Sequence, residues 1–438
     1  MIDSAAAPAP APNALRRVMG RWAMVAMMLN IIIGAGIFGL PSHIHALAGP
    51  AGIFAYVVCA ILIGCIALCF AEVSSRFDGT GGPYLYGSVA FGPVAGFLVG
   101  WLMWVARVAA LATVSGVMAS YLSLFWAPAG AGIGRAIAIA AVLLTLTAIN
   151  LAGVRPASGA ISVLAIGKLI PLVLFVGAGI FFLDPHRFVQ DRAPVTAAFS
   201  QAVLQLIFAF GGFEAAVIAA GETHEPRRDM PFAVLFATAT TTLLYLAIQI
   251  VCIGTLPSLA TSDRPLADAA AHFAGAGAAA VITTGALIST VGALGSSLLL
   301  GPRLLFAMAE QGQFPAALGR TDARFRAPQL AILLTAAAAL GLALTGTFVT
   351  VLNLSVLARL ASYLITAAAL FALRRSPSAP PARFVLRGAA PIAIIAIAAS
   401  LWLVVQSGAR EIRGLAIWIA AGLLLRSLTR SRPVRASR

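Results

Sequence analysis

The sequence is short of charge. Only 10% of its 438 residues are Asp, Glu, Lys or Arg, against roughly a quarter in a soluble globular chain. With 61% hydrophobic residues and a mean hydropathy of +0.98, the chain has too little polar surface to wrap itself for water. That excludes a soluble enzyme or binding module and implies an integral membrane protein. Cysteine is scarce too. Cys59, Cys65, Cys69 and Cys252 all fall in apolar runs, where they read as small packing residues and not as disulfides or metal ligands. The five histidines, His43, His45, His186, His224 and His272, show neither metal-ligand spacing nor a paired nucleophile, so no metal, cofactor or catalytic constellation is expected. Long soluble insertions are missing as well: the longest loops, about 301–328 and 373–388, are basic and leave no room for a signalling domain. Lysine is rarest of all. Lys168 is the single lysine among 29 cations, and it sits inside the apolar run "VLAIGKLIPLVLF".

What is present is a series of apolar runs. Twelve candidate spans cover approximately 22–45, 51–75, 92–122, 133–152, 159–183, 199–221, 231–256, 273–300, 329–345, 348–372, 389–406 and 412–428, most near the roughly 20 residues a spanning helix needs. The runs are continuous and not alternating, which excludes a β-barrel. In lipid the backbone must satisfy itself, so the spans are helices. If the N-terminus is cytoplasmic, twenty arginines fall in cytoplasmic segments and six in outer ones, with Arg107, Lys168 and Arg359 inside spans. The net charge of +15 is thus a topology signal of the positive-inside kind. It is not a nucleic-acid footprint, since no basic stripe with interleaved aromatics exists. The Ala/Pro-rich "MIDSAAAPAPAPNALRR" reads as a disordered arm. It does not read as a cleaved signal, because its small residues precede the apolar run.

Glycine interrupts two spans. Span 1 carries Gly34 and Gly36 in "NIIIGAGIFGLPS", and span 6 carries Gly211 and Gly212 in "LIFAFGGFEAAVIAAGE", followed by Glu214. A glycine costs about 1 kcal/mol in a helix interior. One reading is close helix packing of the GxxxG kind. The other is a pair of broken helices, and position favours it: spans 1 and 6 open two five-span halves, whose odd repeat length inverts one half relative to the other. Interrupted helices at corresponding positions of inverted halves point to a transporter's midplane site. Freed N–H groups at such a break attract a carboxylate, and freed carbonyls accept an ammonium group, which suits a zwitterion.

Four stretches in order resemble the amino acid–polyamine–organocation (APC) superfamily of transporters: "IIIGAGIF" at 31–38, "FAEVSSRFDGTGGPYLY" at 70–86, "FAFGGFEAAVIAAGETHEPRRDMPFAV" at 208–234 and "GPRLLFAMAEQGQFP" at 301–315. The resemblance covers roughly the first ten spans. It implies an all-α integral membrane fold of 12 transmembrane helices, a 5+5 inverted repeat with broken helices 1 and 6 plus two peripheral helices, working by alternating access. The corresponding organisation is a disordered arm at 1–20, a transport core at 21–372, a cytoplasmic loop at 373–388, the peripheral pair at 389–428 and a basic tail at 429–438. It further implies that the N–H groups around Ala35, Gly36 and Ile37 hold a substrate carboxylate. The carbonyls of Ile33, Phe208, Ala209 and Gly211 would hold its ammonium, with the Phe208 ring closing over the substrate. Some relatives carry a lysine in span 5 where sodium-coupled members place a cation site, and Lys168 matches that position.

The residues themselves agree that Lys168 is exceptional. It lies about eight residues from the inner end of its span, roughly 12 Å of helix, which is deep for snorkelling. Arginine cannot be deprotonated in a protein, so Lys168 is the one candidate for a cationic proton switch. Arg107, Glu214 and Arg359 are the other intramembrane charges, a class that usually faces a cavity or pairs internally. Arg107 is expected to pair with Glu214. Arg359 has no evident carboxylate partner, which keeps open an anionic substrate side chain. Glu72 is expected to meet a cytoplasmic arginine. Glu222, Glu225, Arg227, Arg228 and Asp229 crowd the loop after span 6 as either an inner gate or a solvated loop. Ser289, Thr290, Ser296 and Ser297 line span 8, with Ser296 and Ser297 as the candidates to support the span 1 break or Lys168.

The expected function is secondary amino acid transport, coupled to protons through Lys168, in a cell membrane of the bacterial inner-membrane type with both termini cytoplasmic. The partners are an amino acid, a proton and the bilayer. The alternatives are an amino acid/amine exchanger, an acidic-amino-acid carrier using Arg107 and Arg359, and, least favoured, a nutrient sensor.

Overall fold

A computed structural model describes residues 20–77, 82–152, 158–189, 194–217, 223–322 and 327–429. The N-terminal arm up to residue 19, the tail from residue 430 and Glu222 lie outside the described residues. The regular structure within them is helical: α1 (Arg21–Ile32), α2 (Ala35–Ala48), α3 (Gly52–Ser74), α4 (Pro83–Phe91), α5 (Pro93–Leu122), α6 (Gly132–Leu151), α7 (Ser158–Gly179), α8 (Thr196–Phe210), α9 (Phe213–Ala216), α10 (Pro226–Thr255), α11 (Pro265–Glu310), α12 (Gln329–Thr345), α13 (Phe348–Arg375), α14 (Ala389–Gln406) and α15 (Ala409–Thr429). Eight helical stretches are long and apolar enough to cross a membrane, accompanied by the shorter apolar helices Arg21–Ile32, Gly167–Phe182, Thr196–Phe210 and Gln329–Thr345. Proline opens α4, α5, α10 and α11, where its fixed φ suits a first turn and its missing N–H costs nothing.

Both expected interruptions are present. Between α1 and α2, Ile33 and Gly34 leave helical geometry; the break falls just before Ala35, and Gly36 lies inside α2. Between α8 and α9 the break is Gly211–Gly212, and Gly212 takes a φ of 131° that favours glycine. Two features go beyond the span pattern. The loop between spans 2 and 3 folds its "PYLYGSVAF" into α4. Helix α11 begins before its expected span and kinks at Gly275, φ 81°.

Burial orders the bundle. The most apolar 18-residue stretch of α5 is 83% buried, against 28% for α6 and α14 and 17% for α15, so α5 is the central post and the last two helices lie at the edge. Helix α5 packs on α11 and α13. The half-helix α1 packs on α10 and α7, while α8 packs on α3 and α13, and α2 packs on α8. The two breaks therefore face each other across the middle of the molecule.

Candidate substrate and coupling site

A helix that stops mid-bundle leaves its last carbonyls without intrahelical partners. At the end of α1 the protein supplies them from three other helices. Lys168 on α7, buried to 2% exposure, donates through Nζ to the Asn30 carbonyl at 2.5 Å and the Ile33 carbonyl at 2.8 Å. Ser289 on α11 donates its hydroxyl to the same Ile33 carbonyl at 3.2 Å. Tyr245 on α10 shares its hydroxyl proton between the Ile32 carbonyl and the Ala209 carbonyl of α8, both at 3.1 Å, and so ties one break to the other. The ammonium sits at the negative end of α1, the favourable pole for a cation. Among the described residues no carboxylate lies within ion-pair distance of it.

The second break is held by a carboxylate. Glu214 accepts the Gly212 N–H at 2.7 Å and the Tyr363 hydroxyl at 3.1 Å on Oε2, and its Oε1 lies 3.6 Å from Arg359 Nε. Phe213 stacks on Tyr363, and Phe70 meets both rings edge-on, fixing the tyrosine that fixes the acid. The Arg359 guanidinium lies 5.7 Å from the Phe208 ring centroid, in cation–π range. It also packs onto Gly211, where any side chain would collide with it.

The half-helices meet without a gap at one point. A Cβ built on Gly36 would stand 2.6 Å from the Ala209 Cα, so the first turn of α2 presses backbone to backbone on the last turn of α8. The start of α2 carries no side-chain cap, leaving the N–H groups of Ala35, Gly36 and Ile37 free of intrahelical and capping partners. Next to this junction a cavity of about 10 Å³ is lined by Met103, Ala106 and Arg107 of α5, Glu214 of α9, and Arg359 and Ser362 of α13.

The sequence-based site residues thus gather around the two breaks, with three corrections. The partner of Glu214 is Arg359 and not Arg107: the chain path brings α13, not α5, to ion-pair distance of α9, and Arg107 makes no hydrogen bond or ion pair among the described residues. The Ile33 carbonyl is occupied by Lys168 and Ser289, so it is not a free acceptor for a substrate ammonium here. Support for the span 1 break comes from Ser289; Ser296 turns back to the Gly292 carbonyl of its own helix, and Ser297 lies two helical turns beyond Ser289, away from Ile33. Tyr245 and Tyr363 were not singled out by sequence. Their signal was available: a mid-span tyrosine buries a hydroxyl that must find a partner.

At the end of the bundle where α1 begins, polar groups tie the helices together. Glu72 of α3 takes Arg374 in a two-pronged pair at 2.7 and 2.5 Å, Arg76 at 3.1 Å and the Leu386 N–H at 2.8 Å, so it meets arginine as expected. Arg227 donates to the Ser75 carbonyl at 3.0 Å, Arg21 pairs with Asp229 at 3.6 Å and Arg383 with Glu225 at 3.8 Å. These cross-element links make the loop after span 6 more than a solvated turn.

Comparison with known proteins agrees with this architecture. The family profile described as "Amino acid permease" matches residues 19–410. The chain is 27% identical over 429 residues to the "Methylthioribose transporter" of Bacillus subtilis (strain 168), covering 94% of this chain and 93% of that one. It is 25% identical over 438 residues to the "Branched-chain amino acid permease BcaP" of the same organism, with 94% and 93% covered. Over 328 residues it is 28% identical to that organism's "Serine/threonine exchanger SteT", covering 73% and 75%. These relatives are transporters, not enzymes, and come from a bacterium. The chain belongs to the amino acid permease family.

Proposed function

We propose that this permease is a proton-coupled amino acid symporter with alternating access, in which Lys168 carries the coupling proton. The observation that carries the reading is the position of Lys168: its ammonium closes the carbonyl end of the first broken helix through the Asn30 and Ile33 carbonyls. A proton lost from Lys168 removes the charge that complements this helix end, and so links protonation to the geometry of the break where substrate binds. Proton and substrate binding then change each other's affinity by the same factor.

The repeat assignment has its own support in the packing. Pairing spans 1–5 with 6–10 turns each contact into another that also occurs: α1 on α10 becomes α8 on α3, α1 on α7 becomes α8 on α13, α5 on α13 becomes α11 on α7, and α5 on α12 becomes α11 on α6. Five spans per half invert the second half. With twelve spans and the arginine bias, both termini are cytoplasmic.

The substrate is a neutral α-amino acid, its carboxylate taken by the free N–H groups of Ala35, Gly36 and Ile37 and its ammonium by the carbonyls of Phe208, Ala209 and Gly211 as α2 and α8 separate. Two relatives are by name carriers of branched-chain amino acids and of serine and threonine, all neutral. An acidic substrate fits less well, because Arg359 is engaged by Glu214 and the cavity beside Arg107 is too small for a side-chain carboxylate. Exchange is the second reading, favoured by the relative named an exchanger.

Reconstituted vesicles separate these readings. A symporter concentrates a labelled neutral amino acid under an inward pH gradient into substrate-free vesicles, whereas an exchanger requires internal amino acid. Lys168→Ala is expected to lose gradient-driven uptake while retaining substrate binding in a thermal-shift assay. Accumulation by Lys168→Ala under the pH gradient sinks the coupling role.

A further inference from the structure

The cavity between α5, α9 and α13 is surrounded by charge that the Glu214–Arg359 pair does not balance. Arg107 is 7% exposed and Arg359 9%, so both guanidinium groups are withdrawn from solvent. The cluster holds two positive charges and one negative. Its unmatched polar atoms are Arg107 Nε, Arg359 Nε, Arg359 Nη1 and Ser362 Oγ, all shielded from solvent and without a hydrogen-bond partner. Three of the four can only donate, and the hydroxyl can donate as well. Glu214 does not meet this demand, because its Oε2 already accepts from Gly212 and Tyr363 and its Oε1 stands 3.6 Å from Arg359 Nε. What the wall lacks is an acceptor with one negative charge.

The size of the space narrows its identity. About 10 Å³ of room for a guest's centre admits one single-atom guest, a water or a small ion. A water accepts at most two of the donated bonds and leaves a buried positive charge uncompensated, which a protein interior strongly disfavours. A carboxylate has the right charge but brings two oxygens and a carbon. We infer that this cavity is a binding site for one monatomic anion, chloride in ordinary media, held by Arg107, Arg359 and Ser362. The anion completes the neutralisation of the cluster beside the Gly211–Gly212 break and links spans 3 and 10 to the broken span 6. The inference stands on the geometry of this cluster and does not depend on proton coupling or on which amino acid is carried.

Thermal unfolding of the purified full-length protein in detergent tests it, with sodium chloride replaced by sodium gluconate at constant ionic strength. The expected result is a midpoint that rises saturably with chloride, and with bromide in its place. Arg107→Gln makes the cluster neutral and is expected to lose the chloride response. Should that variant not fold, Ser362→Ala keeps every charge, and its half-saturating chloride concentration is expected to rise at least threefold. A wild-type midpoint equal in chloride and gluconate overturns the inference. So does an unchanged chloride response in Arg107→Gln or Ser362→Ala. A midpoint raised by aspartate or glutamate but not by chloride also overturns it, and assigns the cavity to a substrate side chain instead.

Discussion

The assignment of Glu214 to Arg359 and not to Arg107 makes a prediction with a definite size. Both side chains are nearly buried, at 10% and 5% exposure, and their charged atoms stand 3.6 Å apart. At an effective dielectric of about 20, the attraction at this distance is about 4 to 5 kcal/mol. Desolvation and relaxation consume part of it, leaving a coupling of about 2 to 3 kcal/mol, in the range found for neighbours in one network. The perturbation is a double-mutant cycle of Glu214→Gln, Arg359→Gln and the double variant. Glutamine at 214 retains an oxygen for the Gly212 N–H and the Tyr363 hydroxyl, so the cycle reports the charge and spares the cap on the break. The assay is equilibrium unfolding by SDS titration in mixed micelles, read by tryptophan fluorescence.

A parallel cycle with Arg107→Gln supplies the control. Arg107 borders the same cavity but lies beyond ion-pair distance of Glu214, so its coupling should be smaller than that of Arg359. A Glu214–Arg107 coupling equal to or larger than the Glu214–Arg359 coupling refutes the assignment. So does a Glu214–Arg359 coupling indistinguishable from zero, which means that the carboxylate is held by Gly212 and Tyr363 alone.

Two further outcomes follow from the breaks. Gly36→Ala places a methyl 2.6 Å from the Ala209 Cα, backbone that cannot swing aside, whereas a methyl on Gly34 meets nothing nearer than the Ala293 Cβ at 3.7 Å. Gly36→Ala should therefore destabilise by about 1 to 3 kcal/mol and abolish vesicle uptake, with Gly34→Ala affected far less; equal loss in both would show that the α2–α8 contact is not what limits position 36. Ser289→Ala removes one of the two donors to the Ile33 carbonyl and should cost about 1 kcal/mol, while Ser296→Ala, whose hydroxyl serves its own helix, should stay within about 0.5 kcal/mol. Thermal midpoints of the two serine variants decide between them.

The legible parts of the molecule are those written along one helix. Apolar run length located the spans, and the doubled glycines located both breaks to within a few residues, because a glycine pair weakens a helix wherever it sits. The illegible parts depend on which helix faces which. Arg107 and Arg359 both sit in apolar runs and both lie more than a hundred residues from Glu214 in sequence; only the packing of α13 against α8 and α9 decides that Arg359 is the partner. The serines of span 8 recur within two turns, and a one-turn error in register separates Ser289, which reaches Ile33, from residues that do not. Tyr245 bridges both breaks from a helix that has no break of its own, so attention to glycine alone passes it over. Its warning was chemical and not positional: a phenol in mid-span must have an acceptor, and the unpaired carbonyls of broken helices are the nearest supply.

Under the 5+5 assignment, spans 5 and 10 correspond, and each sends one cation to the break of the other span in its half. Lys168 goes to the carbonyl end of α1, and Arg359 lies over Gly211 at the end of α8. The two ends are completed differently. At the first break the cation bonds the carbonyls directly, so the charge on one nitrogen sets the electrostatics of the helix end. At the second, Glu214 stands between, accepting the Gly212 N–H while Arg359 offsets its charge. A guanidinium stays protonated, so the second break keeps a constant cation. A lysine does not have to, so of the two cations only the one at the first break can lose its charge. Under the proposed coupling, a sequence with 28 arginines and one lysine gives its two halves different tasks. On that proposal, exchanging the two cations, Lys168→Arg with Arg359→Lys, keeps the charge count but moves the titratable cation to the second break, and pH-gradient-driven uptake into vesicles is expected to be lost.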